Sequence, residues 1–334
     1  MGLLKKKQVQ YILIGLVLAL LPFIFGFKRA TVTMLDTVVI YAIAALGFNI
    51  LLGYSGQISL GHAAFMGIGA YLSAFITMEL QLPFLLAILL SGVVPMLIGL
   101  LLGLVALRLE GHYLAIATLG LGVTIQHIFK EWTGFTGGFS GAKAPYASIF
   151  GYAFKSRESF FVLAIAVLVL LSIFAYHFLT SKAGRALVAM RNSEHAAKAM
   201  GVSLFKYKLI AFAVSAFYAG VAGSLYMHLI RYSDPNTWGI ELSLNLLGMV
   251  VIGGLATIGG SILGAAFIVI IPELLKEIPV LGEIRSLSTI LTGVALILVI
   301  RFMPYGLVRV GKQIQSKRQD RKNKSSLKQQ ISKP

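Results

Sequence analysis

Apolar runs of roughly 20 residues recur along the whole chain, each closed by a short polar or glycine-rich interruption. Ten are read, at 9–27, 32–52, 58–80, 84–107, 112–130, 159–179, 208–230, 240–258, 261–275 and 286–303. A helix rises about 1.5 Å per residue, so about 20 residues cross the roughly 30 Å of hydrocarbon in a bilayer. The pattern predicts an all-α polytopic membrane protein of about ten transmembrane helices. The run from Phe84 to Leu107 is the clearest; the ninth is short and contains Pro272. The first follows Lys5, Lys6 and Lys7 as a signal peptide would, but no small-residue cleavage site follows in "FGFKRAT", so it is expected to remain as a helix.

Composition strengthens this picture. The chain is 57% hydrophobic and 12% charged, where soluble domains carry about 25% charge. Too little polar surface exists to cover such a chain in water. The net charge of +17 first suggests nucleic acid, but its placement points elsewhere. With the N-terminus inside, the cytoplasmic segments hold Lys5–Lys7, Arg108, the six cations between Lys182 and Lys208, and every cation from Arg301 onward. The acids there are Glu110, Glu194 and Asp320, so the whole excess falls on the cytoplasmic side. That is the positive-inside rule, and it needs no nucleic acid. The tail 309–334 is basic, with almost nothing to bury, and is expected to be disordered, either against anionic membrane lipid or simply solvated. The chain has no Cys, which removes disulfides and thiolate metal sites.

The longest inner loop, 181–208, is "SKAGRALVAMRNSEHAAKAMGVSLFKYK". It reads as a short helix. Asn192 or Ser193 can cap it, Glu194 stands in the first turn, Ala196, Ala197 and Met200 form a small apolar face, and Gly201 suits the C′ position. Such a face fits a groove on a partner; the other reading is a helix lying on the membrane surface.

"EHAAKAMG" resembles the coupling loop of ABC importer permeases, Glu-Ala-Ala, three residues, then Gly. Here His195 intrudes between Glu194 and the Ala pair. The stretches "GYSGQISLGHAAFMGIGAY", "RLEGHYLAIATLG", "SKAGRAL", "RNSEHAAKAMGV", "AGVAGSLY" and "GMVVIGGLATIGGSILGAAF" resemble the branched-chain amino-acid ABC transporter permease family, LivM-type subunit, over about residues 35–310. The resemblance implies one half of a heterodimeric pore with a sister permease, two cytoplasmic ATPases and an extracytoplasmic amino-acid-binding protein, in a bacterial or archaeal cytoplasmic membrane. It assigns Arg191, Glu194, Ala196, Ala197 and Gly201 to ATPase coupling. It implies no cofactor and no catalysis by this chain.

Two glycine-rich, uncharged segments stand out, 53–75 and 248–267, which share "SLGHAAF" and "SILGAAF". Paired Gly-interrupted segments in a transporter point to the translocation site near the midplane. Glycine serves both close helix packing and breaks that free backbone groups, and both uses stay open here. Gln57, Ser59 and His62 are assigned to the pathway, since polar groups in a membrane need a partner. Asn49, Thr118 and Asn245 join them as pathway candidates, though they and Gln126 equally suit bonds to neighbouring helices; His177 and His228 are read as interfacial.

No Asp, Glu, Lys or Arg is placed in the middle of a run, which disfavours a proton-coupled carrier. No G-x-x-x-x-G-K-[ST] occurs. Both absences suit a permease driven by a separate ATPase. Gly53–Gly56 and Gly138–Gly141 match Gly-x-Ser-Gly, an intramembrane protease signature that also needs an activating His. The remaining alternatives are a permease for urea or short amides, and an ion-driven carrier or channel.

Overall fold

The computed structural model describes residues 2–106, 111–276, 293, 294, 297, 301 and 306–308. Among these residues the chain is almost wholly helical. In order come α1 (Gly2–Phe25), α2 (Arg29–Asn49), α3 (His62–Met78), α4 (Phe84–Ala106), α5 (His112–Glu131) and the four-residue α6 (Thr133–Thr136). Then follow α7 (Arg157–Thr180), α8 (Lys182–Asn192), α9 (Glu194–Ala199), α10 (Leu204–Ile230), α11 (Ile240–Gly253) and α12 (Ile258–Lys276). A π-helical turn, Ile50–Tyr54, prolongs α2.

The first nine expected runs correspond to α1, α2, α3, α4, α5, α7, α10, α11 and α12. Six are long and apolar enough to cross a membrane: α1, α2 with its π turn, α4, α5, α7 and α10. The other three, α3, α11 and α12, are shorter. Glycine accounts for the shortfall. The third run was expected from residue 58, but the chain leaves helical geometry at Gly56 (φ +76°) and re-enters it only at His62. The eighth and ninth are cut by a turn at Gly254, whose φ of +122° disfavours any side chain. The tenth expected run, 286–303, and the tail, 309–334, fall largely or wholly outside the described residues.

α2, α3, α4 and α10 build the centre. Their contact rests on missing side chains. A Cβ on Gly69 of α3 would meet the carbonyl oxygen of Gly220 at 2.2 Å, and one on Gly220 would meet that of Ser91, on α4, at 1.9 Å. α10 therefore lies wedged between α3 and α4 at backbone distance, which suits association in lipid, where packing rather than apolar burial drives it. Large side chains, Phe48, Phe65, Tyr71 and Tyr218 among them, fill the remaining space.

The bundle has two distinct ends. At one, β1 (Ala142–Lys143) pairs antiparallel with a second strand, Tyr232–Ser233, tying the segment after α5 to the segment after α10. A small hairpin, Ser148–Ile149 with Tyr152–Ala153, sits beside it. His228, expected near the helix end, stands at this end of α10 and is buried, with Nδ1 3.0 Å from Pro145 O and Nε2 3.0 Å from Ser73 Oγ. The segment 142–147 folds over the helix end and covers it. His177 does stand exposed, beside Gln8. The other end of α10, about 40 Å away by helical rise, gathers α8, α9 and the breaks after α2 and α11.

Candidate functional site

The two glycine-rich segments meet. The contact is made by Asn49, in the last turn of α2. Its Nδ2 donates to Thr257 O and to Ser261 Oγ, both at 2.9 Å, and its Oδ1 accepts from Ala256 N at 2.9 Å. Ala256 holds φ +58°, a conformation L-residues rarely adopt. The Asn49 amide thus serves the backbone of the turn between α11 and α12. A Cβ on Gly53 would lie 1.8 Å from Asn49 Oδ1 and 2.5 Å from Ala256 N, so only glycine lets the first segment rest on the second. On its other side this turn is approached by Gly306, where a Cβ would stand 2.3 Å from Gly254 Cα.

The first break, 55–61, is held by three distant elements. Thr118 Oγ1 of α5 accepts from Leu60 N at 3.0 Å. Ser243 Oγ of α11 accepts from Ala63 N at 3.0 Å, taking one of the first N–H groups of α3. Gln57 Nε2 donates to Ser55 Oγ at 2.6 Å and to the carbonyl of Lys208, on α10, at 3.2 Å. α5 crosses close above: a Cβ on Gly61 would meet Thr118 O at 2.1 Å.

Gln57, Ser59 and His62 are all buried. Among the described residues, Gln57 Oε1, Ser59 Oγ and His62 Nε2 have no hydrogen-bond partner. The His62 ring lies against Phe48, with centroids 4.8 Å apart. A buried polar atom left unpaired costs about 1–3 kcal/mol, and here three fall within six residues.

The structure thus brings together Asn49, Gln57, Ser59, His62 and Thr118. Asn49 differs from the others: its amide is spent on the second turn. Asn245 stands apart, exposed on the far face of α11. Gln57 bonds to the second turn of α10, so the junction lies toward the helix ends near α8 and α9. The short lengths of α3 and α11 put it there. Gln126 donates to Pro235 O at the opposite end.

α9 is capped as its sequence suggests. Ser193 Oγ accepts from Ala196 N at 3.2 Å. At the far end Gly201 N donates to Lys198 O and Val202 N to Ala197 O, both at 3.0 Å, with Gly201 at φ +80°. That pair of bonds is the Schellman arrangement, and it favours glycine at C′. The expected apolar face needs correction. Ala197 is buried, 5% exposed, while Ala196, Ala199 and Met200 face outward. Ala197 is three residues from Glu194 and shares its side of the helix. Glu194, its side chain still 41% exposed, turns toward α10 with its carboxylate 2.8 Å from Lys208 Nζ, and Ala197 lies on the same side. Arg191, at the end of α8, is exposed and packs its stem toward Gly56.

Sequence reasoning missed Lys208, Ser243, Thr257 and Ser261. Lys208 was counted as one more loop cation, and the serines fill ordinary helix positions. The protease pattern at Ser55 dissolves: its hydroxyl donates to Leu51 O at 2.7 Å and accepts from Gln57. Among the described residues no metal-binding cluster of His, Cys, Asp or Glu is formed.

Against known proteins, residues 30–300 match a family model described as branched-chain amino acid transport system / permease component. The chain is 32% identical over 326 residues to the high-affinity branched-chain amino acid transport system permease protein LivM of Salmonella typhimurium, covering 90% of this chain and 75% of that one. The same figures hold for the protein of that name from Escherichia coli. It is also 26% identical to the ribose import permease protein RbsC of Haemophilus influenzae, over 75% of this chain and 76% of that one. Among solved structures, PsaBC from Streptococcus pneumoniae in complex with Fab aligns with a TM-score of 0.43 at 15% identity, over 82% of this chain and 91% of that one.

Proposed function

This chain belongs to the branched-chain amino-acid transport permease family, and on that premise we propose that it is one transmembrane subunit of an ATP-driven importer for branched-chain or related hydrophobic amino acids. Its partners are a sister permease, two cytoplasmic ATPases and an extracytoplasmic binding protein. Residues 1–308 form the permease domain, with α3, α11, α12 and the run 286–303 completing about ten spans. The tail 309–334 is cytoplasmic, as are the N-terminus and the loop 181–208. The family match over 30–300 carries this reading.

The transport mechanism is alternating access. ATPase closure moves α9, which presents Ala196, Ala199 and Met200 as a shallow apolar surface beside the Arg191 guanidinium. Small side chains leave room for a groove to close over them. The shift passes to the break 55–61, where the chain already departs from helix and bends at low cost. Gln57 Oε1, Ser59 Oγ and His62 Nε2 then meet the polar head of the amino acid, while the apolar helix faces accept its side chain. Thr118 lies beside that route. Asn49 sets the geometry of the joint.

The test is leucine uptake alongside co-purification of the ATPases. Ala196→Trp is expected to lower both by on the order of tenfold, the size of a typical coupling between sites, with membrane insertion intact. Normal uptake and normal ATPase recovery in this variant would remove α9 as the docking helix.

A further inference from the structure

Lys208 occupies a position that ordinary helix chemistry disfavours. It is the fifth residue of α10, close to the N-terminal end, where the helix dipole repels a cation. Its side chain is 9% exposed, although a lysine near a helix end normally extends its ammonium to water. Two contacts from other elements compensate. The ammonium lies 2.8 Å from both carboxylate oxygens of Glu194, on α9. The carbonyl of the same residue accepts from Gln57 Nε2 at 3.2 Å. Gln57 also holds Ser55 Oγ at 2.6 Å, and that hydroxyl donates to Leu51 O at 2.7 Å, inside the π turn that ends α2.

We propose that Lys208 is a positioning residue that locks α9 to the break 55–61, so that displacement of Glu194 on the cytoplasmic side moves Gln57 in the transport route. This rests on the reading of 181–208 as the ATPase-coupling segment. The link is short: one residue, Lys208, carries both contacts. The ion pair fixes α9 against the first turns of α10, and the Gln57 bond fixes the break against the same residue. Removing Glu194 leaves a lysine with no acid beside it in a nearly dry site, and removing Gln57 frees Ser55 and the π turn. Glu194 therefore acts within this chain, and the extra residue His195 that separates it from Ala196-Ala197 matters less for the ATPase surface than the shared pattern suggested.

The experiment uses the whole transporter in proteoliposomes and reads leucine transported per ATP hydrolysed. Lys208→Met keeps the stem and the backbone carbonyl, and Glu194→Gln keeps the shape of its partner. Each is expected to retain ATPase recovery and ATP hydrolysis while the transport ratio falls on the order of tenfold. The double reversal Lys208→Glu with Glu194→Lys is expected to restore most of it. Gln57→Glu, which keeps Oε1 for the substrate and removes the Nε2 donor to the Lys208 carbonyl, is expected to give the same loss, and its combination with Lys208→Met no further loss, as for residues of one network. The proposal is overturned if the single variants keep the wild-type ratio, if the reversal restores folded amount without restoring the ratio, or if the Lys208 and Gln57 losses multiply. Failure of the unaltered chain to recover the ATPases would instead defeat the functional reading itself, so the two failures are distinct.

Discussion

The two glycine-rich breaks look alike in sequence and are built in opposite ways. The turn 254–257 is saturated: one Asn49 amide makes three hydrogen bonds there, Thr257 Oγ1 donates to Gly254 O at 2.7 Å, and Gly306 closes its far side. The break 55–61 is anchored at its edges, through Thr118, Ser243 and the Lys208 carbonyl, yet keeps three buried polar atoms unpaired. Glycine serves close approach in the first case and departure from helix in the second. A saturated turn resists change, whereas a break with free polar atoms is ready to accept new partners.

Crowding the contact between α11 and α12, the helices on either side of the sealed turn, should produce the largest effect. A Cβ on Gly264 would lie 1.7 Å from Met249 O, a backbone atom that side-chain repacking cannot move. Gly264→Val is expected to cost about 3 kcal/mol or more, read as a lower melting temperature in detergent and less folded protein in the membrane. Normal melting would show that α11 and α12 do not pack so closely.

Asn49→Leu should come next. It removes three hydrogen bonds and leaves Ala256 N unpaired, at about 2–3 kcal/mol in the melting measurement. Asn49→Asp keeps the acceptor for Ala256 N and should fall between Leu and wild type. A Leu variant that melts normally would place the stability of the turn elsewhere.

The helices themselves were legible in the sequence, because a 20-residue apolar run has few other fates than a membrane helix or a buried one. The breaks were legible too, as glycine with polar neighbours. What joins them was not. Asn49 reaches residues about two hundred positions away, and no local pattern records such a contact. Nor does local pattern give burial: Lys208 and His228 look like surface residues and are enclosed, whereas Ala197 was assigned to the docking face and Ala199 was not, although two residues of helix, about 200° of turn, put them on opposite faces.

The open break predicts a smaller stability effect with a larger functional one. His62→Leu replaces an unpaired buried imidazole by an apolar group and should change stability by under about 1 kcal/mol. Leucine uptake should still fall on the order of tenfold if the imidazole meets the substrate. Loss of uptake only in proportion to folded protein would return His62 to a packing role.

The central contrast, an adaptable break beside a sealed one, is most directly read by thiol accessibility. The chain has no cysteine, so a single introduced one reports without background. In the assembled transporter, Ser59→Cys and Ser261→Cys are each exposed to a small membrane-permeant thiol reagent, at rest and during ATP turnover with leucine. Both positions are buried in this structure. The account predicts that the cysteine at position 59 is protected at rest and reacts during turnover, while that at 261 stays protected throughout. A reactive cysteine at 261, or equal protection at 59 in both conditions, would contradict it.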